Sequence, residues 1–115
     1  MEEGEKELCK ERILGLRDAL ELLKGKWKLC ILQSLSYYGA MRFNDIQKAI
    51  VGITPKVLSN ELQELEDNLL ITRTVNNTRP ITVSYAVTLH AKEIEPVIKA
   101  LYEFGVKHRK KIKEK

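Results

Sequence analysis

Residues 52–70 read GITPKVLSNELQELEDNLL, and the fold turns on what this stretch forms. Pro55 lacks an N–H, which costs nothing at the first position of a helix, and Thr54 before it is a residue type that caps helices. Ile53 and Leu58 take the two positions of a hydrophobic staple across that start. A helix is therefore expected from Thr54. Leu58, Leu62, Leu65 and Leu69 recur at helical spacing, so they are expected to face the core, with Lys56, Ser59, Asn60 and Gln63 on the opposite side.

Just upstream, RFNDIQKAI at residues 42–50 predicts a shorter helix. Asn44 and Gln47 have the spacing of a capping box, and Ile46 and Ile50 supply its apolar stripe. A turn over residues 51–53, with Gly52 in it, joins the two helices. Two short helices on such a turn make a helix-turn-helix, here over residues 44–68.

The rest of the chain extends that unit. Leu8, Ile13, Leu16, Leu20 and Leu23 form a helical stripe over residues 8–23. KWKLCILQSLSYY (residues 26–38) is apolar on several sides, which predicts a central, buried helix ended by Gly39. After Leu70 the period changes to two: ITRTVN and TVSYAVT are rich in β-branched residues and flank a turn holding Asn77 and Pro80. They predict a hairpin over residues 71–88. A last helical segment over residues 90–111 places Ile94, Val97, Ile98, Leu101 and Phe104 on one side, with Pro96 in its first turn or at a kink. The expected fold is mainly α with a small β-hairpin wing, a winged helix-turn-helix in one domain of 115 residues with N- and C-terminal dimerisation helices.

Composition narrows the function. Hydrophobic residues are 43% and charged residues 31% of the chain, as in ordinary globular proteins. No run reaches the roughly 18 to 20 apolar residues of a membrane helix, and the acidic start MEEGEKE lacks the pattern of a signal peptide. A cytoplasmic location without a membrane partner is expected. Cys9 and Cys30 provide one pair at most, and His90 and His108 are isolated. Cys30, among Leu29, Ile31 and Leu32, reads as a small buried hydrophobe. With no metal site, no cofactor and no nucleophile elbow or phosphate loop, the expectation is a protein that is not an enzyme.

The formal net charge of +4 is unevenly spread. Residues 107–115 alone carry +5, residues 1–23 carry −3, and residues 24–79 carry +3. Attraction to nucleic acid must therefore come from the geometry of the middle segment. Asn or Gln bonds adenine with two hydrogen bonds, Lys meets guanine or phosphate, and Ser is permissive. Lys56, Ser59, Asn60 and Gln63, with Thr54 at the helix start, are the expected readers of double-stranded DNA. Arg42 directly before the preceding helix and Lys48 on its outer face are expected to clamp phosphates, and Arg79 at the hairpin tip to meet the backbone or enter the minor groove. Glu61, Glu64, Glu66 and Asp67 favour a second reading, an interaction module whose helix face binds protein.

Four ordered segments, KGKW at 24–27, RFNDI at 42–46, GITPKVLSNELQELE at 52–66 and SYAVT at 84–88, together resemble the HxlR family of bacterial winged-helix transcriptional regulators. The resemblance implies a homodimeric DNA-binding regulator joined through its terminal helices, with the helix from Thr54 as recognition helix. Ile13, Leu16, Leu20, Ile94, Ile98 and Leu101 are the expected interface, because a small core cannot cover both flanking helices. It also implies control by a small-molecule or redox effector, the latter through a cysteine near the N-terminus. That role would fall to Cys9, which departs from the family pattern in being followed by Lys10 and in lying farther from Trp27.

Overall fold

A computed structural model describes residues 2–115. The chain runs α1 (Glu3–Leu22), α2 (Lys28–Tyr38), β1 (Met41–Arg42), α3 (Phe43–Ala49), α4 (Pro55–Asp67), β2 (Ile71–Asn76) and β3 (Thr82–Val87). A 3-10 turn over His90–Ile94 then leads into α5 (Glu95–Lys113). It is a winged helix-turn-helix. Ile31, Leu32 and Leu35 of α2 pack with Ile46 of α3 and with Leu58, Leu62 and Leu65 of α4 to form the core. The central position expected for α2 follows from this packing. Gly52 adopts φ +90° in the turn between α3 and α4, a backbone conformation that favours glycine, and faces the ring of Trp27.

The N-terminus of α4 forms as its sequence predicts. Thr54 is extended at the N-cap, its Oγ1 accepts from the Val57 N–H at 3.3 Å, and Pro55 occupies the first turn. The capping box expected at Asn44 and Gln47 does not form. Arg42, held in β1, is the N-cap of α3 and the helix begins at Phe43, which puts Asn44 inside the first turn instead of ahead of it. Pro96 lies in the first turn of α5, where no N–H is required.

The other end of α4 departs from the expected leucine stripe. The Leu69 N–H donates to Glu66 O at 3.0 Å and the Leu70 N–H to Leu65 O at 2.9 Å, the paired bonds of a Schellman ending. Such an ending needs one left-handed residue, and Leu69 supplies it at φ 64°. Leu69 is thereby turned into solvent at 72% exposure, and Leu70 takes the core position instead.

β2 and β3 form the expected hairpin, with Ile71 opposite Val87 and Asn76 opposite Thr82. β1 adds a third strand, pairing Met41 with Tyr85 and Arg42 with Ser84, so the sheet order is β1-β3-β2. Two residues are too short a run to show alternation, and this strand is invisible in the pattern. It ties the start of α3 to the wing.

The flanking helices reach beyond this core. None of the twenty described residues of α1 is buried, and the stripe of α5 is buried only at Ile98, against its own chain, with Ile94 half-buried. The radius of gyration is 17.4 Å, against about 13 Å for a compact chain of this length. α1 meets the core only at its last residue, Leu22, which is half-buried.

Leu69 provides a test of the backbone. A left-handed conformation costs an L-residue about 1–2 kcal/mol, and glycine gives back about 0.5–1 kcal/mol of that as extra freedom in the unfolded chain. Leu69→Gly should therefore raise unfolding free energy by about 0.5–1 kcal/mol, read as a higher urea midpoint at unchanged m-value. A lower midpoint would show that Leu69 makes a contact worth more than its strain.

Candidate nucleic-acid interface

Three leucines seat α4 with its outer face fixed. Leu58, Leu62 and Leu65 are at most 2% exposed, so a helix of 3.6 residues per turn must present Lys56, Ser59, Asn60 and Gln63 to solvent, and all four are exposed. The end of α4 nearest these residues is the positive end of the helix dipole, which favours an anion, and with Pro55 lacking an N–H and the Val57 N–H capped by Thr54 it is the Lys56 N–H that is left for one. Thr54 is exposed too, but its hydroxyl is engaged by the cap. Gln63 Nε2 donates to Asp67 Oδ1 at 2.8 Å. That bond must open before Gln63 can turn to a base.

Arg42 and Lys48 are exposed on β1 and α3. The pairing of β1 with β3 sets Arg42 beside Ser84 at the root of the wing. The wing tip is braced by its own side chains. Asn76 Nδ2 donates to Thr82 Oγ1 at 3.2 Å and to Ser84 Oγ at 3.3 Å, and Thr78 Oγ1 donates to Pro80 O at 2.8 Å. Arg79 sits exposed on that braced loop. Arg73, exposed in the middle of β2, is a further basic residue of the wing that the sequence pattern did not single out.

The acidic residues of α4 do not all share its outer face. Glu61 and Glu64, three apart, share a flank, and both hold Lys28 at the start of α2: the Lys28 Nζ lies 2.8 Å from Glu61 Oε2 and also bonds Glu64. Lys28 is the only buried charged residue among the described residues, at 4% exposure. Burial is the strongest influence on it and lowers its pKa, but the hydrogen bonds to Glu61 and Glu64 outweigh that and hold it above the usual 10.5. Glu64 is drawn below its usual 4.5 by the hydrogen bond and the charge of Lys28. The sequence carried a signal for this cluster. Lys28 shares the i, i+3, i+4, i+7 face of Ile31, Leu32 and Leu35, and a cation on a core face demands carboxylates.

Both cysteines are free and exposed. For Cys30 this corrects the buried position expected of it. The turn of α2 that buries Ile31 and Leu32 leaves Cys30 on the other side, its Sγ donating to Lys26 O at 3.6 Å. There it lines a cleft of about 560 Å³ with Trp27, Ile50, Leu101 and Tyr102, between α2, the end of α3 and α5. Trp27 is half-buried, with Lys26 Nζ 4.7 Å from its ring centroid. No helix among the described residues is long and apolar enough to cross a membrane.

Comparison with known proteins places the chain in a family. Residues 22–113 match the HxlR-like helix-turn-helix family. An HTH-type transcriptional regulator of Halalkalibacterium halodurans is 37% identical over 90 residues, covering 78% of this chain and 80% of that one. One of Methanothermobacter thermautotrophicus is 36% identical over 95 residues, covering 83% and 72%. Among solved structures, the redox regulator HypR in its reduced form superposes with a TM-score of 0.80 at 27% identity, covering 88% of this chain and 99% of that one.

The ion cluster predicts a pH dependence whose sign follows from the shifts. The depressed carboxyl of Glu64 contributes stability above its usual 4.5 that is lost as pH falls through its folded value. The raised Lys28 contributes stability below its usual 10.5 that is lost as pH rises through its folded value. Glu64→Gln should therefore flatten the loss of thermal stability below pH 4.5. An acid limb identical to that of the unmodified protein would contradict the assignment.

Proposed function

Because this chain belongs to the HxlR-like helix-turn-helix family, we propose that it regulates transcription as a homodimer binding a pseudo-palindromic site on double-stranded DNA. The observation that carries the reading is the seating of α4. Its buried leucines leave Lys56, Ser59, Asn60 and Gln63 outward, and helix-turn-helix proteins lay the N-terminal part of such a helix in the major groove. On this reading Asn60 and Gln63 contact base edges, Thr54, Lys56, Arg42 and Lys48 line the phosphates, and Arg79 brings the wing to the flanking groove. The alternative of a protein-binding face rested on the acids of α4, and two of these are engaged by Lys28.

The second copy supplies what α1 lacks. Ile13, Leu16 and Leu20 of α1 and Leu101 of α5 are each about half exposed or more, and burying such a side chain fully contributes about 1.5–3 kcal/mol. Two-fold pairing through α1 and α5 covers them and sets two recognition helices about 34–36 Å apart, one turn of B-DNA. Ile94, at the end of the 3-10 turn, and Ile98 of α5 back this interface from the core side. An apolar effector has room in the cleft beside Trp27 and Tyr102. Redox control through Cys9 is supported by its exposure and by the likeness to a redox regulator.

Affinity for a duplex selected from a random library should fall steeply with salt, with a log–log slope of about 0.9 per phosphate neutralised. Asn60→Ala should relax base preference at one position, costing about 1–3 kcal/mol. Binding that ignores both salt and sequence would overturn the reading. Leu101→Glu should give monomers by light scattering and much weaker DNA binding, since the second half-site is lost. A monomeric unmodified protein that still bound the duplex tightly would refute the dimer.

A further inference from the structure

Lys28 stands where electrostatics least favours a cation. It is the first residue of α2, at the positive end of that helix's dipole, and it is 4% exposed. Both features oppose a buried ammonium. What holds it there is α4 alone, through Glu61 and Glu64. The arrangement is a weak source of stability, because removing charges from water costs about as much as their attraction returns. Its geometry, by contrast, is demanding. Glu61 and Glu64 lie one turn apart on a single flank of α4, so an ammonium that engages both fixes the rotation of α4 about its own axis as well as its distance from α2. The leucine stripe decides which face of α4 is outward, but apolar burial is non-directional and supplies no bond that holds the exact rotation of the helix.

The residue that caps α2 also closes on the turn before α4: the Trp27 ring lies so near Gly52 that a Cβ on that residue would sit 3.9 Å from it. Trp27 and Lys28 thus hold the helix-turn-helix at two points. We infer that Lys28 is a positioning residue for DNA recognition: by clamping Glu61 and Glu64 it sets the angle at which Asn60 and Gln63 are presented, and it withdraws two carboxylates from the field of the phosphates. Rotating α4 by a fraction of a turn would move Asn60 and Gln63 off the base edges while leaving Lys56 near the backbone. Loss of the clamp is therefore a loss of sequence discrimination before it is a loss of binding. The inference rests on the DNA-binding reading above.

The test uses the full chain and two duplexes, one selected by the unmodified protein from a random library and one scrambled from it. Lys28→Met leaves two uncompensated carboxylates and should weaken binding to both. The decisive variant is Lys28→Met/Glu61→Gln/Glu64→Gln, which is neutral throughout the cluster and removes the reason for misfolding. It should bind the scrambled duplex at least as well as the unmodified protein does, while the ratio of selected to scrambled affinity falls by about tenfold or more, the size of a lost base contact. Lys28→Arg, which keeps a cation able to bridge both carboxylates, should restore much of that ratio. A triple variant with the discrimination of the unmodified protein would overturn the inference, and so would one that fails to fold, since the cluster would then be serving stability. Failure of the unmodified protein to discriminate between the duplexes would instead remove the DNA-binding reading itself.

Discussion

The burial of Leu58, Leu62 and Leu65 against Ile31, Leu32 and Leu35 is the contact on which the rest of the structure depends. A helix has one apolar stripe to bury, and once α4 has buried its own, the identity of its outer face is no longer free. The N-cap at Thr54 fixes where that helix starts and the Schellman bonds after Asp67 fix where it stops. Between those limits the chain presents a short polar surface, and Arg42 on β1, Lys48 on α3 and Arg79 in the wing loop are exposed as well. Apolar packing sets the plane of this surface, and the ion cluster at Lys28 adds an angular restraint.

The same core explains what is left unfinished. It is small, and it consumes the stripes of α2, α3 and α4 together with Ile71 of β2 and Ile98 of α5. Nothing remains to cover Leu8, Leu14, Leu16 and Leu20 of α1, or the outer side of α5 at Val97, Leu101 and Phe104. These apolar surfaces are what the proposed second copy would cover.

Much of this was legible in the residues because the signals were local. Thr54-Pro55 fixed a helix start through the chemistry of one missing N–H and one hydroxyl, and the alternation in ITRTVN and TVSYAVT fixed the hairpin. The misreadings share a different cause. Asn44 and Gln47 had the spacing of a capping box, but pairing of Arg42 with Ser84, more than forty residues away, decided where α3 began. Leu69 continued the leucine period, yet the helix ended first, because the chain had to turn so that Leu70 and Ile71 could enter the core. Cys30 was judged by its neighbours in sequence, whereas its exposure depends on which side of α2 faces α4. The Lys28 cluster lay in plain view on a core-facing stripe, and only the fold could say which carboxylates answered it.

The central claim is that the outer face of α4 between Thr54 and Gln63 meets DNA. It is tested most directly by following backbone and side-chain amide resonances while a selected duplex is titrated into the protein. The largest changes are expected at Lys56, Ser59 and the side-chain amides of Asn60 and Gln63, with a second group at Arg42 and in the loop around Arg79. Changes confined to α1, α5 or the cleft beside Trp27, with the amides of Asn60 and Gln63 unmoved at saturation, would contradict it.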